Sequence, residues 1–291
     1  MAASAARLRT TILTGLALVA FAGNSVLCRL ALGDAAIDAS SFSTLRLVSG
    51  ALTLSLIAVV PGRKTTVRHG GGWLPATMLF LYAVAFSFAY MSLSTATGAL
   101  ILFGAVQATM ILSALAFGER PRPLEWIGLG LALCGLVYLV LPGLAAPSPA
   151  GSALMTVAGI AWGAYSLRGR GAGDPTAATT GNFVRSVPLV VAVSVIMLKH
   201  IHISPRGALL AASSGAIASG LGYVAWYAAL RGLTATRAAM VQLAVPVLAA
   251  LGGVAVLSEE VSLRLLMSAI LILGGIGLSV TGGRTSRERG S

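Results

Sequence analysis

Charge is the scarcest commodity in this sequence. Only 10% of its 291 residues are Asp, Glu, Lys or Arg, against about a quarter in a soluble domain, and beside 57% hydrophobic residues that shortage excludes a soluble globular fold. Acid is scarcer still, with 8 Asp and Glu against 20 Lys and Arg, a net charge of +12. All of the carboxylates (Asp34, Asp38, Glu119, Glu125, Asp174, Glu259, Glu260 and Glu288) fall between or at the ends of long apolar runs. Proton-driven carriers usually keep a titratable group inside the spanning region, and His69, His200 and His202 supply none there either. Facilitated diffusion or exchange is therefore expected over proton antiport. Two Cys and three His are too few for a disulfide framework or a multi-ligand metal site, so no cofactor is expected, and the His200-x-His202 pair reads as solvated loop. A Gly-Lys-Ser/Thr phosphate cradle and a Gly-x-Ser-x-Gly nucleophile turn are missing, which excludes ATP-driven pumping within this chain. An intramembrane enzyme would need His, Asp or Cys clustered at membrane depth, and Cys28 and Cys134 have no such company. The chain is not expected to be an enzyme.

What the sequence has in abundance is apolar runs broken by charge, Pro and Gly. At about 20 residues per crossing, they read as ten helices near 11–30, 40–60, 71–92, 95–117, 122–141, 150–168, 176–198, 206–230, 233–256 and 262–281. Stretches such as Ala99 to Phe117 are continuously apolar and lack the alternation of a β-barrel strand. The predicted fold class is all-α and integral to the membrane, with no room for a substantial soluble domain. Arg7 and Arg9 ahead of Ala20-Phe21-Ala22 look like a cleaved leader, but the repeat described below needs this helix, so residues 1–30 are expected to be retained.

The basic residues sort by side. Arg7, Arg9, Arg63, Lys64, Arg68, Arg120, Arg122, Arg168, Arg170, Arg231, Arg237, Arg284, Arg287 and Arg289 share one side with both termini, against Arg29, Lys199, Arg206 and Arg264 on the other. A missed helix would mix the two sets. The asymmetry predicts a multi-pass protein of the inner (plasma) membrane with both termini cytoplasmic. The basic excess is then a topology signal with attraction to anionic lipid, and nucleic acid is not an expected partner.

Sliding the chain on itself by 140 residues pairs Gly23 with Gly163, Leu27 with Leu167, Gly33-Asp34 with Gly173-Asp174, Leu93-Ser94 with Leu233-Thr234, Glu119 with Glu259 and Gly135 with Gly275. Five helices per unit is an odd number, so the second copy enters the membrane from the opposite face. The predicted architecture is two five-helix inverted repeats, residues 1–143 and 152–283, joined by a Pro/Gly/Ala-rich linker at 144–151 and followed by a polar tail at 284–291, with a site near the midplane between the halves.

Phe117-Gly118-Glu119-Arg120 and Leu257-Ser258-Glu259-Glu260 after the fourth helix of each copy, Ala161-Trp162-Gly163 in the sixth helix, and Arg46 and Arg185 in the second helix of each copy resemble the EamA-type members of the drug/metabolite transporter superfamily. The resemblance spans nearly the whole chain. The first helix departs from it with Ala22-Gly23 where Trp-Gly is common, and Pro246 has no proline counterpart at Val106. Ten helices and aromatic central helices are similar to the YddG-type amino-acid exporters, and the resemblance implies export of a small-molecule substrate. The leading expectation is an exporter of small amphipathic metabolites, aromatic or other neutral amino acids, working by alternating access. Proton-coupled efflux of drugs or other metabolites, a channel, and an intramembrane enzyme are the competing readings.

In lipid, polar groups must find partners inside the protein, so polar and aromatic residues at mid-depth mark the bundle interior or a wet cavity. Asn24, Tyr82, Gln107, Trp162, Tyr223 and Gln242 meet that condition and are the expected substrate-binding set. Trp162 would stack on an apolar part of the solute, and Gln107 and Asn24 would hydrogen-bond its polar end. Interhelical hydrogen bonding is the alternative for the amides. Tyr165, Phe86 and Trp226 share helical faces with this set. Trp73, Trp126 and Tyr138 sit at helix ends and read as interfacial belt. Arg46 is costly in hydrocarbon unless it is paired, snorkels or faces water, so a structural role is expected of it, with binding of a substrate carboxylate as the alternative. Asp34 and Asp38 are its expected partners, as Asp174 is for Arg185. The small residues Ala211, Gly215 and Ser219 form a stripe that lets helices approach closely, and Gly274, Gly275 and Gly277 suit either packing or a homodimer contact.

Overall fold

The structure, a computed structural model, describes residues 2–33, 35–59, 70–93, 95–140, 148–257 and 263–282. Outside them lie Asp34, His69, Ser94, Glu259, Glu260, Glu288, the basic residues Arg63, Lys64 and Arg68, the first half of the expected linker, and the tail. Ten helical rods make up the described residues: α1 Ala2–Gly33, α2 Ala39–Val59, α3 Trp73–Ala89, α4 Thr95–Ala116, α5 Pro123–Val140, α6 Pro149–Gly169, α7 Pro175–Ile196, α8 Pro205–Leu230, α9 in two pieces (Ala235–Gln242 and Ala244–Leu257), and α10 Leu263–Gly282. The expected and observed helices correspond one to one. α1 begins nine residues earlier than expected, because Ala2–Thr10 continues the same helix with hydroxyls folded back, as in Thr10 Oγ1 to Ala6 O at 3.1 Å. Large apolar side chains such as Leu56, Val59, Ile196, Leu209 and Ile270 are exposed on the outside, the surface a protein presents to lipid rather than to water.

Helix pairing obeys a pseudo-twofold axis. The packing of α3 on α6 is answered by α8 on α1, α4 on α6 by α9 on α1, and α3 on α7 by α8 on α2, while α2 with α7, α4 with α9 and α5 with α10 meet across the axis. The 140-residue offset holds for α4 and α9, which start at 95 and 235, and for α5 and α10, at 123 and 263. In the earlier helices it shortens, because α2 and α7 start at 39 and 175. Asp38 and Asp174, not Asp34 and Asp174, are therefore the equivalent residues. Each is an N-cap: Asp38 Oδ1 accepts from Ser40 N and Ser41 N at 3.0 and 2.9 Å, and Asp174 Oδ1 from Thr176 N and Ala177 N at 2.9 and 3.1 Å.

Two departures from regular helix sit at mid-depth. α9 is interrupted at Leu243, whose N–H turns to Met240 O at 3.0 Å. Pro246 explains it: the ring has no N–H to donate to Gln242 O and clashes with that carbonyl. In α8, Ser214–Leu221 widens into π-helix, a form often found at functional sites. Gly215 and Ser219 of the small-residue stripe lie on this segment, with Ala211 one turn before it, and the stripe forms the seam with α2. A Cβ on Gly215 would strike Arg46 O and Ser49 Oγ, so only glycine allows this approach. The Gly cluster of α10 divides: Gly275 and Gly128 of α5 meet backbone to backbone, whereas a Cβ on Gly274 or Gly277 would enter open space.

Candidate substrate site between the two halves

The start of α1, the end of α10 and the helix ends that flank the α2–α3, α4–α5, α6–α7 and α8–α9 connections share one end of the bundle, here the terminal face, and the opposite helix ends form the distal face. Between the two faces, five of the six expected site residues line one central cavity. α1 contributes Phe21, Asn24 and Ser25, α3 contributes Tyr82 and Phe86, and α4 contributes Leu102, Phe103 and Val106. The second half adds Trp162 from α6, Tyr223 from α8, and Gln242 and Val245 from the two sides of the α9 break.

Trp162 is the hub. Its ring centroid lies 4.8 Å from Tyr223, 4.9 Å from Tyr82 and 5.1 Å from Phe21, the last edge-on, and it stacks on Tyr165 at 5.7 Å. These separations lie in the range where aromatic pairs attract beyond their buried area. Its indole N–H donates to Gln242 Oε1 at 2.6 Å, and Gln242 Nε2 donates to Ala238 O at 3.1 Å and Met110 Sδ at 3.2 Å. The amide at the break is thus fully engaged. Asn24 Oδ1 accepts from Ser214 Oγ at 2.5 Å, tying α1 to the π-segment.

Gln107 stands apart from the other five. It is buried, its Nε2 donates to Ala239 O at 2.8 Å, its Oε1 has no partner, and its place between α4 and α9 is behind the cavity wall. Phe21, which packs edge-on against Trp162, Tyr223 and Trp226, escaped the sequence reading although it lies one helical turn before Asn24 and Ser25. Trp226 is turned from the cavity, its indole donating to Ser166 Oγ at 3.0 Å.

The cavity measures about 30 Å³, room for one or two waters. Toward the distal face a larger space of about 250 Å³ adjoins it through Ser25, between Cys28, Arg29, Leu32 and Gly33 of α1 and Tyr90 and Leu93 beyond α3. That space approaches the size of ligand pockets. At the terminal face Glu119 ties the two halves together. Its Oε1 accepts from Ala235 N at 3.0 Å and pairs with Arg170 Nη1 at 3.1 Å, and its Oε2 accepts from Thr236 N at 3.3 Å and Thr236 Oγ1 at 3.2 Å. A carboxylate from one half thereby caps the first turn of α9 in the other, the favourable end of its dipole. Burial opposes the charge of Glu119, but the two backbone N–H groups, the Arg170 guanidinium and the Thr236 hydroxyl outweigh it and hold the carboxyl below its usual range. Arg237 Nε and Glu125 Oε1, 3.4 Å apart, add a second tie on that face.

The distal face has its own tie. Ile37 and Ile203 form an isolated antiparallel bridge, flanked by Asp38 N to His202 O and Ser204 N to Ala36 O, both 2.9 Å. Asp38 Oδ2 also accepts from His202 N at 2.9 Å. Burial works against this carboxylate, yet the bonds from Ser40, Ser41 and His202 bring its pKa down to about 2. Asp38 is therefore engaged as cap and latch, and is not the counter-ion expected for Arg46. Asp174 likewise caps α7 and does not pair with Arg185, whose Nη1 donates to Gly70 O and Gly181 O, both at 2.9 Å. Arg46 is 1% exposed, and its donors go to Ser219 Oγ at 2.8 Å, Tyr223 OH at 2.6 Å and Tyr82 OH at 3.4 Å.

An all-helical bundle of two inverted halves, apolar outside and closed around a central cavity, is the build of a membrane transporter. The EamA-like transporter family model matches the chain twice, over residues 9–141 and 149–281, and the chain belongs to that family. It is 50% identical over 282 residues to an uncharacterized protein of Pseudomonas aeruginosa, covering 96% of this chain and 98% of the relative. An uncharacterized transporter of Archaeoglobus fulgidus is 24% identical, covering 93% and 97%. A crystal structure with 18% identity superposes with a TM-score of 0.80 over 95% of this chain and 98% of its own, a likeness of fold. The protein is a multi-pass membrane transporter of a transporter family, not of an enzyme family.

Proposed function

We propose that this transporter exports small amphipathic metabolites, neutral and aromatic amino acids first among them, by alternating access as a facilitator or exchanger. The observation that carries the reading is the central cavity itself, where aromatic rings from both halves surround the amide ends of Asn24 and Gln242. Rings offer an apolar wall and the amides orient a polar end, a combination suited to a solute with one apolar and one polar part. Asn24, Tyr82, Trp162, Tyr223 and Gln242 contact the solute in this reading, and Gln107 supports the wall from behind. At about 30 Å³ the cavity must widen to accept a metabolite, and the distal space is its route of exchange while Glu119 keeps the terminal face shut. With the charge asymmetry of the connections, the terminal face is cytoplasmic in an inner membrane. The repeats run as 1–143 and 152–283. Among the described residues no carboxylate lies at mid-depth of a span, Glu125 being in the first turn of α5, which supports transport without an obligatory proton gradient.

Counterflow in proteoliposomes tests this. Labelled amino acid should accumulate transiently against trapped unlabelled amino acid, and should still do so with the pH gradient collapsed. Flux without counterflow, or counterflow of sugars or nucleosides alone, overturns the assignment. Loss of all flux on collapsing the gradient overturns its energetics.

A further inference from the structure

Arg46 is the one described cation enclosed at the centre of the bundle, and apart from the face of the Tyr82 ring, whose centroid lies 5.2 Å from its Cζ, nothing charged or electron-rich around it answers its charge. It is 1% exposed, no carboxylate pairs with it among the described residues, and its Nη1 has no hydrogen-bond partner. Its three bonds go to uncharged hydroxyls: Ser219 of the π-segment, Tyr223 and Tyr82. A neutral amide could hold those hydroxyls as well. A buried charge without a counter-ion is unfavourable wherever nothing answers it, so what the positive charge adds must be sought in what approaches it.

The direction of the hydrogen bonds shows where that is. A guanidinium can only donate, so both phenol oxygens act as acceptors toward Arg46 and keep their own protons to give. One phenol can donate to the other, which still leaves one proton for an acceptor outside the pair. Both rings line the central cavity. Asn24, on the same wall, uses its Oδ1 to accept from Ser214 and so offers its amide hydrogens. Gln242 contributes no free acceptor, because Trp162 occupies its Oε1. Tyr82, Tyr223 and Asn24 are thus the unspent donors of this cavity, the two phenols polarised by the cation behind them.

We infer that the cavity binds the carboxylate of its solute, with Tyr82 and Tyr223 donating to it and Arg46 supplying from the second rank the charge that neutralises it. The inference rests on the transport reading above and narrows the substrate class to solutes bearing a carboxylate, whose apolar part then faces Phe21, Phe86 and Trp162. Arg46 is a positioning and charge-compensating residue. The carboxylate of the solute offsets the Arg46 charge, which has no counter-ion among the described residues of the empty site.

The test compares L-phenylalanine, its methyl ester and phenethylamine in proteoliposomes of the full chain, with Tyr82→Phe, Tyr223→Phe, the double variant, Arg46→Lys and Arg46→Gln. The parent should move phenylalanine at least about tenfold faster than either analogue, the loss expected when charge-assisted hydrogen bonds go unmade. The double phenylalanine variant, which preserves the rings, should bring the ratio to near one while ester flux persists. Arg46→Gln should do the same and Arg46→Lys should restore part of the preference. If Arg46→Gln fails to fold, the ring-preserving variants decide alone. A parent that carries all three compounds equally, or a double variant that keeps the preference, overturns this inference and leaves the transporter of amphipathic solutes standing. A parent that carries none of the three overturns the amino-acid reading itself, and this inference with it.

Discussion

Replacing Glu119 by Gln isolates what holds the terminal face shut. Ala235 and Thr236 are first-turn residues of α9, so their N–H groups have no acceptor within the helix. Only Glu119 and solvent can satisfy them. The carboxylate spans 3.0 to 3.3 Å to these two donors and the Thr236 hydroxyl, and 3.1 Å to Arg170. A hydrogen bond to a charged group contributes about 1.5–3 kcal/mol when buried, a charge at a helix N-terminus about 0.3–1 and a largely solvated ion pair about 0–1. Glutamine keeps one acceptor oxygen, so the closed face should lose about 1–2 kcal/mol, a factor of about 5–30 in the closed-to-open ratio.

Hydrogen exchange reads this directly. The Ala235 and Thr236 amides should exchange faster in Glu119→Gln by that factor, with Arg237 N, held at 3.2 Å by Thr234 Oγ1, as the internal reference. If Arg237 follows, the whole face has opened; if it does not, only the cap has gone. The parent should also show a pH dependence that the variant lacks. Because the folded carboxyl is held below the 4.5 of a free glutamate, its contribution is complete above that value and disappears as pH falls through the depressed one. Unchanged protection of Ala235 and Thr236 in the variant would refute the claim that Glu119 is the fastening.

Two further outcomes follow from packing. Gly275→Ala should lower the melting temperature and Gly274→Ala should leave it level or raise it, because a Cβ on Gly275 meets Gly128 O whereas one on Gly274 meets nothing and alanine gains about 1 kcal/mol of helix propensity over glycine; thermal unfolding in detergent checks both. Trp162→Phe keeps an aromatic ring but strips the 2.6 Å bond from Gln242 Oε1, which should cost about 1–3 kcal/mol and change solute affinity in the same counterflow assay, and equal affinity with equal stability would contradict the central place given to this bond.

Depth in the membrane was legible in the sequence, but direction around a helix axis was less so. Asn24, Tyr82, Trp162, Tyr223 and Gln242 converge on one cavity because each is a polar or aromatic residue far from helix ends, and such groups are pushed inward by lipid. Gln107 has the same depth, yet it is Val106 that lines the cavity, and the next residue in a helix points about 100° away. Apolar residues on every side of α4 gave no amphipathic stripe from which to read that angle. The break in α9 was written in Pro246, whose missing N–H falls on Gln242, whereas the π-segment of α8 has no single-residue signal and depends on α2 packing against Gly215. Pairing of Arg46 with a nearby acid failed for a general reason. Loop carboxylates beside helix starts are claimed first by backbone N–H groups, as Asp38 and Asp174 are.

That shared capping gives the frame in which the two halves can be compared residue by residue, and they differ where it matters most. Eight residues after the Asp38 cap comes Arg46, and eight after the Asp174 cap comes Asn182. Arg185, similar in sequence, lies three residues further along and spends its guanidinium on Gly70 O and Gly181 O. Asn182 is buried like Arg46, but its Oδ1 accepts from Gly72 N at 3.0 Å, a tie between α7 and the start of α3. One half thus uses this position to bind backbone, and the other uses it to place a cation behind two phenols. An inverted repeat with identical halves would present the same groups to both ends of a solute. Here the Tyr82 and Tyr223 hydroxyls alone are backed by a buried guanidinium, so the cavity has a polar sense, and a solute with an anionic end has one favoured orientation in it.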